Sequence, residues 1–149
     1  MWNLTSIEGL NKGVITGVCA ILAKPVVEIN KDKNYKLGYK VKLSIAIRGD
    51  MYLLGKIQRV FTQNGIYSTI KDVESKIRPR PILRIGRIEH MRNFQAAYIA
   101  DVSDSNFFIG SEDSKDSWER FLAILTIVEY KRHRTAKGLD EILKLKGAI

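Results

Sequence analysis

Few architectures accommodate the segment Tyr39–Arg48. In YKVKLSIAIR, Val41, Leu43, Ile45 and Ile47 alternate with Lys40, Lys42, Ser44, Ala46 and Arg48. Successive side chains of a strand point to opposite faces, so this pattern predicts one buried face and one wet, cationic face. Such a strand belongs in a sheet covered by helices on one side, the arrangement of an α+β protein. Two further segments repeat the bias. Ile66–Val73 sets Tyr67, Thr69 and Lys71 opposite Ile66 and Ile70, and Arg80–Gly86 sets Arg80 and Arg84 opposite Leu83 and Ile85, with Ile82 between the arginines. Pro79 and Pro81 stand at the start of that strand, where a missing donor is tolerated. Lys24–Asn30 reads as the first strand and Lys31–Gly38 as the polar turn leading into Tyr39.

Helices are marked by their ends. Asp50 is placed to cap a helix carrying Met51, Leu53, Leu54, Ile57, Val60 and Phe61, and Gly65 stops it. A short helix is expected from near Ile88. Trp118, Phe121, Leu122, Leu125 and Val128 form a helical stripe, and Thr135 caps a last helix with Leu139, Ile142, Leu143 and Leu145 on its apolar side. The predicted order is helix-strand-strand-helix-strand-strand-helices, giving a four-stranded antiparallel sheet with helices on one face. A length of 149 residues suits a single domain over 1–149, with no linker.

Charge points to the partner. There are 25 Lys plus Arg against 16 Asp plus Glu, a net charge of +9, which favours polyanions. The wet strand faces gather Lys40, Lys42, Arg48, Lys71, Arg80 and Arg84, with Ser44, Tyr67 and Thr69 among them. Carboxylates on these faces are few, Glu28 being the clearest, so a mixed-sign solubility pattern is not what is seen. A β surface enters a major groove with Arg and Lys on guanine edges and phosphates. The competing reading, strand by strand, is an ordinary solvated face.

Other chemistry is excluded more simply. Cys19 is the single cysteine, which rules out an internal disulfide and a multi-cysteine zinc site, and on an apolar helix it reads as packing. His90 and His133 have no ligand-spaced partners. No Walker loop, dinucleotide fingerprint, zinc-protease helix or nucleophile elbow occurs. The expectation is therefore no cofactor, no metal and no catalytic residue. KRHRTAK, before the last helix, reads as a phosphate contact or a solvated turn. The apolar run Phe121–Val128 is far too short for a bilayer, and Met-Trp-Asn-Leu-Thr-Ser lacks the regions of a secretory signal. A soluble intracellular protein of cytoplasm, nucleoid or organelle matrix is expected, without membrane association.

Residues 15–23, Ile-Thr-Gly-Val-Cys-Ala-Ile-Leu-Ala, resemble a LAGLIDADG helix stripped of its acids. Gly17 keeps the third-position glycine, and Ile15 and Val18 keep apolar positions. Ala20 and Leu22 stand where the family places acids, and Ala23 replaces the closing glycine. The predicted element order and the closing segment KRHRTAKGLDEILKLKGAI are similar to the LAGLIDADG domain over nearly the whole chain. The resemblance implies a single-motif relative of the LAGLIDADG homing endonucleases, whose sheet reads DNA and whose second acid holds the metal that activates water. Leucine cannot ligate Mg²⁺, which demands oxygen, so the implied protein binds without cutting. Ile47 lies near a point of the second strand where many members carry a polar residue, often Gln. The nearest carboxylate is Glu28, six residues beyond Leu22.

In that family the motif helix packs against a second copy. Gly13, Thr16, Gly17 and Ala20 put small side chains along one helix face, which lets two backbones approach closely. The expected assembly is a homodimer of charge +18, twice +9, on two half-sites; the alternative is a helix buried in its own core. A second stretch, AAYIADVSDSNFFIG at 96–110, mimics the motif through Asp101 and Asp104, but its spacing is wrong and it reads as a helix end followed by a loop. The expected function is binding of duplex DNA, with structured RNA left open, as a regulator, maturase-like factor or ribonucleoprotein component. The alternatives are an active endonuclease with relocated metal ligands and a protein-interaction module without nucleic-acid affinity.

Overall fold

The structure is a computed structural model that describes residues 12–100 and 112–147. Its elements are α1 (Lys12–Leu22), β1 (Ala23–Lys31), β2 (Tyr39–Arg48), α2 (Met51–Gln63), β3 (Thr69–Lys71), β4 (Ile82–Ile85), α3 (Ile88–Phe94), α4 (Glu112–Glu129) and α5 (Ala136–Gly147). A π-helical turn, Gln95–Ile99, extends α3, and a 3-10 turn, Arg132–Arg134, precedes α5. The strands form a four-stranded antiparallel sheet in the order β1-β2-β4-β3. The α+β class and the element order expected from the sequence are thus present. No helix among the described residues is long and apolar enough to cross a membrane.

The chain forms two compact units. The first comprises Met1–Lys24 and Ile45–Ile109. Asp50 caps α2 as expected, its side chain accepting from the Leu53 amide at 2.8 Å. Leu54, Ile57, Val60 and Phe61 are buried, whereas Met51 is exposed because it falls in the first turn, off that stripe. Phe61 stacks edge-on against Phe94, with ring centres 5.8 Å apart, and lies 5.7 Å from Tyr98. Gly65 ends the helix at φ +73°, a conformation that glycine adopts without a steric penalty. On α1, Ile15 and Cys19 are buried, and burial pushes the Cys19 thiol pKa up to about 12, consistent with packing rather than chemistry.

Strands β3 and β4 are shorter than the sequence suggests. The Tyr67 amide donates to His90 Nδ1 at 3.1 Å instead of to a neighbouring strand, so pairing starts only at Thr69. Beyond Lys71 the chain closes into a turn, with Ser75 N donating to Arg78 O at 3.1 Å and Glu74 N to Arg80 O at 2.8 Å. Arg80 consequently precedes β4 rather than standing in it.

The second unit comprises Pro25–Ser44 and Gly110–Ile149. The turn after β1 is held by Asp32, whose carboxylate accepts from Asn34 N at 3.0 Å, and it closes at Gly38, φ +79°. Trp118, Phe121, Leu122 and Leu125 are buried along α4, with Trp118 and Phe121 edge-to-face at 5.6 Å. Thr135 caps α5 by accepting from Gly138 N at 3.0 Å. Gly138 is obligatory for a different reason: a Cβ there would collide with the Arg132 carbonyl. Leu139 and Ile142 are buried, but Leu143, expected on the same stripe, is exposed, since the buried side of α5 is narrower than the run of leucines.

Candidate nucleic-acid interface

In the first unit, pairing sets out rows across the sheet. Arg48 and Lys71 both have Ile82 as their Cα partner, and Ala46 and Thr69 both have Arg84. Directly opposed residues share a face, so Arg48, Lys71, Thr69 and Arg84 are brought together as expected. Ile45, Ile47, Leu83 and Ile85 occupy the other face and are buried.

Two expectations about the cationic face are corrected. Ser44 and Ala46 are not wet: the whole run Leu43–Ile47 is buried, because short side chains cannot reach past longer neighbours. Ser44, at 5% exposure, is therefore not an open contact residue. The face also carries a carboxylate that strand patterning missed. Glu74 lies in the turn between β3 and β4, and its two oxygens accept from Arg48 Nε at 2.7 Å and Nη2 at 2.8 Å. Arg84 Nη2 stands 3.8 Å from the same carboxylate, and Lys71 Nζ donates to the Glu74 backbone carbonyl at 3.4 Å.

The electrostatics follow from that geometry. The Arg48 hydrogen bonds hold the Glu74 carboxyl below its usual range against the opposing effect of burial, with the charges of Arg48, Arg78 and Arg84 assisting. The same hydrogen bonds raise Arg48. Arg80 is exposed, outside the paired rows. Tyr67 is exposed ahead of β3, with the Arg87 guanidinium 5.7 Å from its ring centre and the His90 ring at 5.9 Å. Arg87 has no periodic signal in the sequence, and only the fold brings it to Tyr67.

In the second unit, Lys40 and Lys42 on β2 are exposed and form no ion pair among the described residues. Nearby in the same unit, Asn34, Tyr35, Lys36, Leu37, Tyr39, His133 and Arg134 line a cavity of about 290 Å³ between the hairpin turn and the 3-10 turn. Burial and the Arg134 charge hold His133 below its usual pKa.

Helix α1 presents two distinct features. Leu22 is its last residue, buried Ala23 begins β1, and Ala20 lies within the last turn. These apolar side chains offer no oxygen and do not fit a divalent cation. No group of three His, Cys, Asp or Glu among the described residues is placed to hold a metal. Opposite Ile15 and Cys19, the helix exposes Gly17, and a Cβ built there meets nothing within 4 Å. Ile21 is 73% exposed on that side, and Thr16 and Ala20 are half-buried. The helix is thus not enclosed on its Gly17 side by the described residues. Gly13 lies outside the residues whose surroundings are described, as do Asp101 and Asp104 of the motif-like stretch.

No family model and no curated protein matches the chain. Solved structures do match. The I-SmaMI LAGLIDADG homing endonuclease bound to cleaved DNA superposes with a TM-score of 0.76 at 21% identity, over 94% of this chain and 44% of that one. The LAGLIDADG meganuclease I-CpaMI bound to uncleaved DNA gives 0.75 at 18% identity, over 92% of this chain and 44% of that one. The homing endonuclease I-TnaI gives 0.73 at 18% identity, over 91% of this chain and 85% of that one. This chain therefore spans less than half the length of the first two and has the fold of the LAGLIDADG homing endonucleases.

Proposed function

We propose that this protein binds nucleic acid, with duplex DNA as its preferred partner, through the cationic strand face, and that it does so as a homodimer without hydrolysing the chain. The observation that carries this reading is the gathering of Arg48, Lys71 and Arg84 on one face of the paired strands, together with the exposed Lys40 and Lys42 on β2. The exposed lysines among these cations attract a phosphate backbone and release its counterions. I-SmaMI and I-CpaMI, which share the fold, are DNA-bound. The absence of cutting rests on Ala20, Leu22 and Ala23, since metal-activated water requires carboxylates where the bond breaks. A role as a regulator, maturase-like factor or ribonucleoprotein component suits a binder that leaves its target intact.

The homodimer rests on the open Gly17 side of α1, with exposed Ile21 beside it. A second copy would cover that apolar surface. A Cβ at Gly17 meets nothing within 4 Å among the described residues, so Gly17→Leu is expected to leave the fold intact, as thermal melting would check, and to halve the mass seen by light scattering. A wild-type protein that stays monomeric at high concentration would contradict the dimer.

The functional test is incubation of the protein with a duplex selected by it from a random library, in Mg²⁺ or Mn²⁺, beside an RNA hairpin competitor. Retention of duplex over RNA without nicking is expected. Nicking that disappears in Glu28→Gln would mean that Glu28 has replaced the lost acid and that the protein is an active endonuclease. Affinity for neither DNA nor RNA would favour a protein-interaction module.

A further inference from the structure

We propose that Arg48 reads a guanine on its major-groove edge and that Glu74 is the positioning residue that aims it. This inference rests on the reading that the strand face binds duplex DNA.

An arginine presents its N–H donors in a rigid planar fork. Glu74 takes the side edge, accepting from Nε at 2.7 Å and from Nη2 at 2.8 Å. Both hydrogens of Nη1 and the second hydrogen of Nη2 are left over by that pairing. The end edge of the fork, one hydrogen from each Nη, therefore keeps the geometry that matches guanine O6 and N7. Exposure agrees with this division, since the Arg48 side chain is 33% exposed and the Glu74 side chain 9%. The carboxylate is the screened partner and the guanidinium the open one.

Glu74 is itself fixed by its turn. Its amide donates to the Arg80 carbonyl at 2.8 Å and its own carbonyl accepts from Lys71 Nζ at 3.4 Å. Those bonds fix the Glu74 backbone, and the two hydrogen bonds to its carboxylate hold the Arg48 side chain, so Arg48 has less rotamer entropy to lose in a contact requiring two simultaneous hydrogen bonds. Charge distribution points the same way. Glu74 neutralises part of the field of Arg48 and of Arg84, 3.8 Å away, which weakens the pull toward phosphate without removing the donors that a base edge needs. An arginine held in this manner discriminates between bases, whereas a free lysine grips the backbone.

The test is selection from a duplex library with a randomised core, read by sequencing, for wild type, Arg48→Ala, Arg48→Lys, Glu74→Ala and Glu74→Gln, with folding of each checked by thermal melting. The wild type should enrich a guanine at a defined position of each half-site. Arg48→Ala and Arg48→Lys should lose that preference, about 5- to 150-fold in relative affinity, and leave the other positions unchanged. Glu74→Ala should weaken the same guanine preference while steepening the salt dependence as the freed arginine turns to phosphate, and Glu74→Gln should do so less. An unchanged consensus in Arg48→Ala, or a guanine preference undiminished in Glu74→Ala, would overturn the assignment while leaving duplex binding intact. If the wild type binds no duplex, the proposed function fails, and the assignment with it.

Discussion

The two ends of β2 carry cations of different character. Lys40 and Lys42 are exposed, with no ion pair among the described residues, while Arg48 is clasped by a carboxylate and flanked by buried Ile82. Both sets follow from one alternating pattern, yet their chemistry diverges because of Glu74, which belongs to a different part of the chain. Free lysines on flexible stems act as point charges, insensitive to sequence and strongly screened by salt. A clasped arginine has fixed direction and reduced net charge. Cations that share one alternating pattern therefore need not share one chemistry.

This contrast can be broken experimentally. The largest expected effect is on affinity. If Lys40 and Lys42 each contact a phosphate, replacing both with Ser should cost about 30-fold in binding per chain near 0.15 M salt, from about 5-fold per contact, with melting unchanged since neither side chain is buried. Equilibrium titration of a labelled duplex checks this. The lysine variant should weaken binding equally on a duplex with and without the selected guanine, whereas Arg48→Ser should weaken only the guanine-bearing one; an equal loss on both duplexes in Arg48→Ser would show that the clasp does not divide the labour.

Stability should show the opposite ranking. Glu74→Gln removes a carboxylate that accepts two charge-assisted hydrogen bonds, and with Arg48 partly open to solvent the loss should be about 1 kcal/mol, or about 3 °C in melting temperature. The double lysine variant should show no such shift. Smaller still is the acid limb. Because the folded Glu74 carboxyl is held below its unfolded value, the unfolded chain binds more protons between those two values, and stability rises with pH there. The contribution is fully present above the ordinary carboxylate range and is lost as pH falls through the folded value. Denaturant melts of wild type and Glu74→Gln should accordingly converge toward low pH, and a constant gap would show that the clasp contributes no pH dependence.

How much of this was legible beforehand depended on whether the signal was local. The cap at Asp50, the stop at Gly65 and the cap at Thr135 involve residues within a few positions, and each stands where the sequence put it. The strand faces of β3 and β4 were also readable, because their period of two survives in Leu83, Arg84 and Ile85. Their lengths were not, since His90 takes the Tyr67 amide from 23 residues away. Ser44 and Ala46 show the limit of alternation, which predicts direction but not whether a short side chain reaches water. Glu74 was missed for a related reason: it lies in a turn and reaches Arg48 across 26 residues, so no window over a single strand contains the pair. Gly138 gave no signal at all, as its need arises only when the Arg132 carbonyl is folded against it. The α1 stripe was visible as small residues, but only the structure distinguishes an exposed Gly17 from an enclosed one.

The central claim is that free lysines grip the phosphate backbone while the clasped arginine does not. The most direct measurement is the slope of log K against log salt concentration for one selected duplex, determined for wild type, the Lys40→Ser/Lys42→Ser variant and Arg48→Ser. The lysine variant should lose about two from the slope per chain, about one for each phosphate contact, and Arg48→Ser should leave it nearly unchanged. Equal slopes for wild type and the lysine variant, or a loss confined to Arg48→Ser, would contradict it.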